Sequence, residues 1–209
     1  MLFAAAASAN PQEDFLCEDS PLDIYPDVYF HCEAMQSFKK GFDEHALELL
    51  QRASLWGSKT AQYKVGLMYL GGVGTQADPV EGAAWLLLAN ERNNRKVTER
   101  LAEVLDKLSD SSVMAANSRA AELRETYGDL EALERRADWV RRMKKRTTGS
   151  RLGKPMATVV NSGTSGITGD QALNRLDHYE QVLREAVTTV EYRDFRVLEP
   201  EEESSEDRP

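Results

Sequence analysis

The stretch Ala61–Asn90, AQYKVGLMYLGGVGTQADPVEGAAWLLLAN, narrows the folds open to this chain more than any other. Ala61, Val65, Met68 and Tyr69 recur at helical spacing and form one apolar stripe. Gly66 sits inside that helix, where glycine costs about 1 kcal/mol relative to alanine. That cost makes sense where a neighbouring helix backbone comes close. Gly71, Gly72 and Gly74 follow and supply the positive-φ conformations that end a helix and reverse the chain. Asp78-Pro79-Val80-Glu81 is then a start signal: a capping Asp, a Pro suited to the first helical position, and a Glu placed to reach back as in a capping box. The second helix runs through Ala83, Leu86, Leu87 and Ala89. The unit is a helix hairpin with a glycine-rich turn.

A shift of 36 residues finds a weaker copy on each side. Upstream, Ala46, Leu49, Leu50 and Ala53 match Gly82, Trp85, Leu86 and Ala89, and Gly57 falls opposite Asn93. Gly and Asn are the residues best suited to a left-handed helix cap. Downstream, Val97, Leu101, Ala102, Val104 and Leu105 match Ala61, Val65, Gly66, Met68 and Tyr69. Paired helices at such a period predict an all-α chain, an α/α solenoid of antiparallel helix pairs in which each hairpin buries its face on its neighbours.

At this spacing Ala61, Val65-Gly66, Tyr69, Gly72, Gly74, Asp78, Trp85 and Ala89 resemble a Sel-one-like repeat, a relative of the tetratricopeptide repeat. The likeness runs from Ala46 to Leu105, with one complete unit. It departs at Gly82 and Asn90, where that family usually has alanine, and at Thr75, where it often has valine. The resemblance implies an α/α superhelix used for protein–protein contacts, often in bacterial envelope or signalling assemblies, and it brings no catalytic residues or cofactor. The groove of a solenoid is its default partner site, and Gln62, Tyr63 and Leu70, outside the core stripe of the first helix, are the residues expected to line it.

At 209 residues the chain is long enough for one substantial core with tails. Its net charge of −9 argues against nucleic acid as the main partner, and no apolar run is long enough to span a membrane. Residues 1–9, MLFAAAASA, end in the small-x-small form of a signal-peptidase site but lack a basic n-region. They read either as a truncated export signal or as an unstructured alanine tail. The two cysteines, Cys17 and Cys32, follow closely; in an exported chain such a pair reads as one disulfide, and in a cytosolic chain as two unrelated thiols. The expected location is the periplasm or another exported compartment, with the cytoplasm as the alternative.

Residues 10–26 read as an irregular, proline-containing lead-in, and 27–146 as the helical repeat domain. The first helix, from Asp27 to Lys40, is expected to turn Tyr29, Phe30, Met35 and Phe38 inward, and Asp43 to cap the second. Ser111-Ser112 restarts a helix carrying Met114, Ala115, Ala121 and Leu123. After Gly128-Asp129, a helix from Leu130 to Arg146 places Leu130, Leu133, Ala137 and Val140 on one side. Residues 147–169, rich in Gly, Ser and Thr, have linker chemistry. In 170–198, Asp170–Val187 reads as a helix with Leu173, Leu176, Tyr179, Leu183 and Ala186 as its stripe. Met156–Val160 and Tyr192–Leu198 have the pattern of a small strand pair. The tail 199–209, highly acidic and without an apolar residue, is expected to be disordered.

Catalytic constellations are lacking. The glycines at 71–74 are not followed by the Lys-Ser/Thr ending of a phosphate loop. His31, His45 and His178 have no zinc-site spacing, and Cys32 beside His31 is better explained by a bridge than as a nucleophile. The pattern therefore predicts a non-enzymatic interaction or scaffold module without metal or cofactor, whose partner is a protein. Its rival rests on the basic run Arg135, Arg136, Arg141, Arg142, Lys144, Lys145, Arg146, Arg151 and Lys154. On a helix, Arg135, Arg141, Arg142, Lys144 and Lys145 could meet nucleic acid or an acidic protein in a cytosolic adaptor. The same run is equally a solvated face balanced by Glu131, Glu134 and Asp138, or is clamped by the acidic tail. A short arc of repeats can also require a partner or a second copy to finish burying its ends.

Overall fold

In the computed structural model, residues 25–147 and 174–185 are described, the latter stretch without 176 and 183. Among them every element is helical and there is no strand. In chain order, α1 spans Pro26–Lys39, α2 Asp43–Ser54, α3 Lys59–Gly71 and α4 Pro79–Ala89. A 3-10 turn, Asn90–Arg92, leads to α5 (Arg95–Leu105), α6 (Asp110–Tyr127) and α7 (Asp129–Thr147), and the described residues from 174 to 185 are helical as well. The candidate export segment, Cys17, the candidate strands at 156–160 and 192–198, the loop beyond Thr147 and the acidic tail lie outside the described residues.

The hairpins α1/α2 and α3/α4 form as the apolar periodicity demands, and α2 lies against α3. The hub is α4, which contacts α3, α5 and α6 and is buried at every position from Gly82 to Ala89. A helix apolar on all sides is a core helix. Each large side chain it buries, such as Trp85, Leu86 and Leu88, contributes roughly 1.5–3 kcal/mol.

Glycine sets the spacing at two points. A Cβ on Gly66 would stand 3.0 Å from the Gly82 carbonyl, and one on Gly82 would stand 2.7 Å from Cγ of Leu70. The two glycines thus let α3 and α4 approach closely, and Leu70 occupies the space over Gly82. The departure from alanine at residue 82 is therefore part of the fit. Gly74, at φ 68°, rests on the first turn of α2: its missing Cβ would overlap the Asp43 carbonyl and lie 2.8 Å from the Glu44 nitrogen. The turn of the second hairpin is seated on the first.

The 36-residue offset holds in backbone conformation, capping and burial. Gly57 and Asn93 both take positive φ, 76° and 50°. One residue later Ser58 and Asn94 both cap a helix, accepting from the Ala61 and Val97 amides at 3.3 and 3.4 Å. Beyond them Val65 and Leu101 are buried, as are Met68 and Val104.

Some expected details differ. Asp43 is the first helical residue of α2 and makes no cap; Phe42 precedes it without a side-chain bond. Glu81 accepts from the Trp85 indole at 3.0 Å and from Arg119 at 2.8 Å instead of closing a capping box. Ser109, not Ser111, caps α6. Tyr29 is exposed. On α6 the buried residues are Ala116, Ala120 and Leu123, whereas Met114 is 69% exposed and Ala115 and Ala121 face solvent. That helix is alanine-rich on two adjacent faces, so periodicity alone could not choose between them. Leu130 of α7 is half-exposed, while Ala132 and Arg136 are buried.

The pairing of hairpins stops after α5. The main contact of α6 is with α4, and α7 turns back across the connection between α2 and α3. Arg135 donates to the Leu55 carbonyl, Arg136 to the Trp56 carbonyl at 2.7 Å, and Trp139 stands edge-on to Trp56 at 5.7 Å. Among the described residues no helix is long and apolar enough to cross a membrane.

Candidate functional site

Side chains of α3 reach α1 on one flank and α5 on the other. Lys64 of α3 reaches the Met35 sulfur of α1 at 3.6 Å. On its other flank Tyr63 feels Arg100 and Glu103 of α5, which pair with each other at 2.8 Å. Burial, opposed by Arg100 and helped by Glu103, raises the Tyr63 hydroxyl above its usual pKa, so it stays a neutral donor and acceptor. Tyr63 is half-buried, with part of its ring open to a partner.

Its two companions in the sequence expectation do not belong on an open groove. Gln62 is completely buried: its amide donates to the Tyr127 carbonyl at 2.9 Å and the Ser54 carbonyl at 3.4 Å, and its oxygen accepts from Lys59 at 3.0 Å. A polar side chain so enclosed is retained because its bonds are all made inside. Leu70 is half-buried against the core and over Gly82.

Gln62 belongs to a polar cluster that ties together the ends of five helices, α2, α3, α4, α6 and α7. Lys59, at the start of α3, donates to Glu91, to the Leu88 carbonyl at 3.2 Å and approaches Asp129 at 3.1 Å. Arg92 holds Asp129 with two bonds, 2.9 and 2.8 Å, and reaches the Gly57 carbonyl at 3.2 Å; Arg124 donates to Glu91 at 2.9 Å. Burial alone would raise the Asp129 pKa. The hydrogen bond from Arg92 and the charges of Lys59 and Arg92 outweigh it and hold the group below the ordinary carboxylate range.

A second cluster joins the far ends of the described chain. Asp27 of α1 accepts from Arg136 and from the Tyr179 hydroxyl, both at 2.8 Å, and the Arg136 guanidinium lies 4.0 Å from the centre of the Tyr179 ring. Tyr25 packs on Tyr179 with ring centres 5.0 Å apart. Burial and the Asp27 charge push the Tyr179 hydroxyl far above its usual pKa despite Arg136. Among the described residues no buried side-chain nitrogen or oxygen lacks a hydrogen-bond partner, so both clusters are closed structural devices.

These clusters also correct the basic patch. Arg135 is spent on the Leu55 and Thr126 carbonyls, and Lys144 pairs with Asp177. Arg136 is 5% exposed. Arg141 remains exposed but pairs with Asp138, so Arg142 and Lys145 are the cations of the patch open to solvent without a described partner. Of the residues that carry the resemblance, Ala61, Val65, Gly66, Trp85 and Ala89 are buried, Tyr69 is half-buried, Gly72 and Gly74 take positive φ, and Asp78 caps α4 with bonds of 3.0 Å from the Val80 and Glu81 amides. Cys32 is buried on α1. Sequence reasoning missed Lys59, Glu91, Arg92 and Arg124; a Glu-Arg pair directly after an apolar helix was the available signal. Among the described residues no group of three or more His, Cys, Asp or Glu could hold a metal ion. Comparison of the chain with protein-family models, with curated proteins and with solved structures gives no match.

Proposed function

We propose that this chain is a non-enzymatic module for protein–protein contact, a short α/α repeat arc of the Sel-one-like kind that works in the bacterial cell envelope. The recurrence, 36 residues apart, of a positive-φ residue, a capping side chain and a buried helical stripe supports that reading. Repeats of this kind present the first helices of successive units as a continuous surface. Here that surface carries Met35, Tyr63, Lys64 and Arg100, a mixture of partly buried apolar and charged groups suited to a protein ligand. In this reading Cys32 is bridged to Cys17 after export, fixing the lead-in to α1.

The test is cross-linking capture of envelope proteins by the full chain, compared with Tyr63→Arg and Lys64→Glu. Loss of one captured species with both variants supports the reading; undiminished capture by both removes the face. Intact mass of the protein from its native host adds a second arm. A chain beginning at Asn10 with both cysteines blocked to alkylation supports an envelope location. A chain retaining Met1 with two reactive thiols overturns it.

A further inference from the structure

Helix α7 has two faces of different character. Ala132, Arg136 and Val140 point into the molecule, and the residues from 174 to 185 cover that side through Tyr179 and Asp177. The opposite face carries Glu131, Glu134, Asp138, Arg141, Arg142 and Lys145, all exposed and all within a sector about 100° wide on an ideal helix. Its charges are segregated: three acids, then three bases.

That order is unfavourable within one helix. Glu134 and Asp138 stand four residues apart, as do Arg141 and Lys145, and like charges at this spacing repel. The helix dipole favours acids in the first turn and bases in the last, but its influence fades within those turns. It does not account for a change of sign in mid-helix. Arg141 answers Asp138 on the same helix, whereas Glu131, Glu134, Arg142 and Lys145 pair with no described residue.

The pattern is antisymmetric about residue 138. Glu131 and Lys145 stand seven positions either side of Asp138, and Glu134 and Arg142 four. We propose that this face is the contact surface of a homodimer, in which two α7 helices lie antiparallel across a two-fold axis at Asp138. Glu131 of each copy then faces Lys145 of the other, and Glu134 faces Arg142, giving four intermolecular pairs. The two Asp138 side chains on the axis are each neutralised by their own Arg141. A two-fold contact needs a self-complementary surface of this kind. Exposed ion pairs are individually weak and screened by salt, so the dimer is a weak, salt-sensitive one. This surface is separate from the α1/α3/α5 face and stands whether or not that face captures another protein.

The experiment is sedimentation of the full chain over a range of concentrations, at about 20 mM and about 0.5 M salt, between which the Debye length falls several-fold. The dimer constant is expected to weaken at least about tenfold at the higher salt. The charge reversals Glu131→Lys/Glu134→Lys and Arg142→Glu/Lys145→Glu should each give monomers, with unchanged helical circular dichroism because the residues are exposed. Mixing the two reversed proteins should restore a one-to-one dimer, since at positions 131, 134, 142 and 145 one copy then presents only bases and the other only acids. A wild-type monomer at low salt overturns the proposal, as does failure of the mixture to associate. Loss of the dimer on reversing the bases but not the acids also overturns it, and assigns the basic half to another acidic ligand such as the chain's own tail.

Discussion

Helices α4 and α7 hold the molecule together by opposite means. From Gly82 to Ala89, α4 has no charged residue; it is enclosed by apolar contacts and by the glycines that let α3 approach. α7 is attached through cations: Arg135 and Arg136 bind backbone carbonyls at the end of α2, and Arg136 also binds Asp27. The first kind of packing tolerates no added volume, and the second tolerates no lost partner. Stability around α4 resides in shape, and that of α7 in bond satisfaction.

The sharpest way to break the comparison is at its polar end. Arg136→Ala should cost about 3–5 kcal/mol, because it leaves the half-buried Asp27 without its cation and the Trp56 carbonyl and Tyr179 ring contacts unmade. Hydrogen exchange should show residues 174–185 opening with it while α4 stays protected. Equal loss of protection in α4 would mean that the two regions are not separable. At the shape-limited end, Gly74→Ala should cost about 2–3 kcal/mol in urea unfolding, through positive φ and overlap with the Asp43 carbonyl.

Asp129 gives a smaller, pH-dependent effect. Its pKa is depressed in the folded state, so its contribution is present above the unfolded value of about 3.9 and is lost as pH falls through the folded one. Asp129→Asn should therefore cost about 1–3 kcal/mol at neutral pH. The gap to wild type should narrow below about pH 4; a gap independent of pH would show that the Arg92–Asp129 bonds are not charge-dependent. Smallest is the cap at Asn93: Asn93→Gly should shift stability by only a few tenths of a kcal/mol and Asn93→Ala by about 1. Equal effects would weaken the equivalence of Gly57 and Asn93.

The contrast also explains what could be read without coordinates. Hairpins, glycine turns, the Asp78 cap and the 36-residue offset follow from periodicity and local backbone preference, which short stretches of sequence express. The buried polar clusters do not: Arg135 and Arg136 bind carbonyls of Leu55 and Trp56, and a carbonyl is present at every residue, so nothing in the sequence marks those two. Gln62 was misplaced on the groove for the same reason, since its partners are the Ser54 and Tyr127 carbonyls. On α6, alanine on two faces left the rotation of the helix undetermined.

The position of the Asp27–Arg136–Tyr179 cluster along the chain sets an order of assembly. The hairpins and their stacking join neighbours in sequence and can form while the chain is still being made. Asp27 is separated by 109 residues from Arg136 and by 152 from Tyr179, so it must wait for nearly the whole described length to be synthesised. Contacts of such separation carry the largest loop-closure cost and form late. Until they do, the Asp27 carboxylate stands exposed at the start of α1, a polar open edge of the growing helical stack that closes only once Tyr179 has been made.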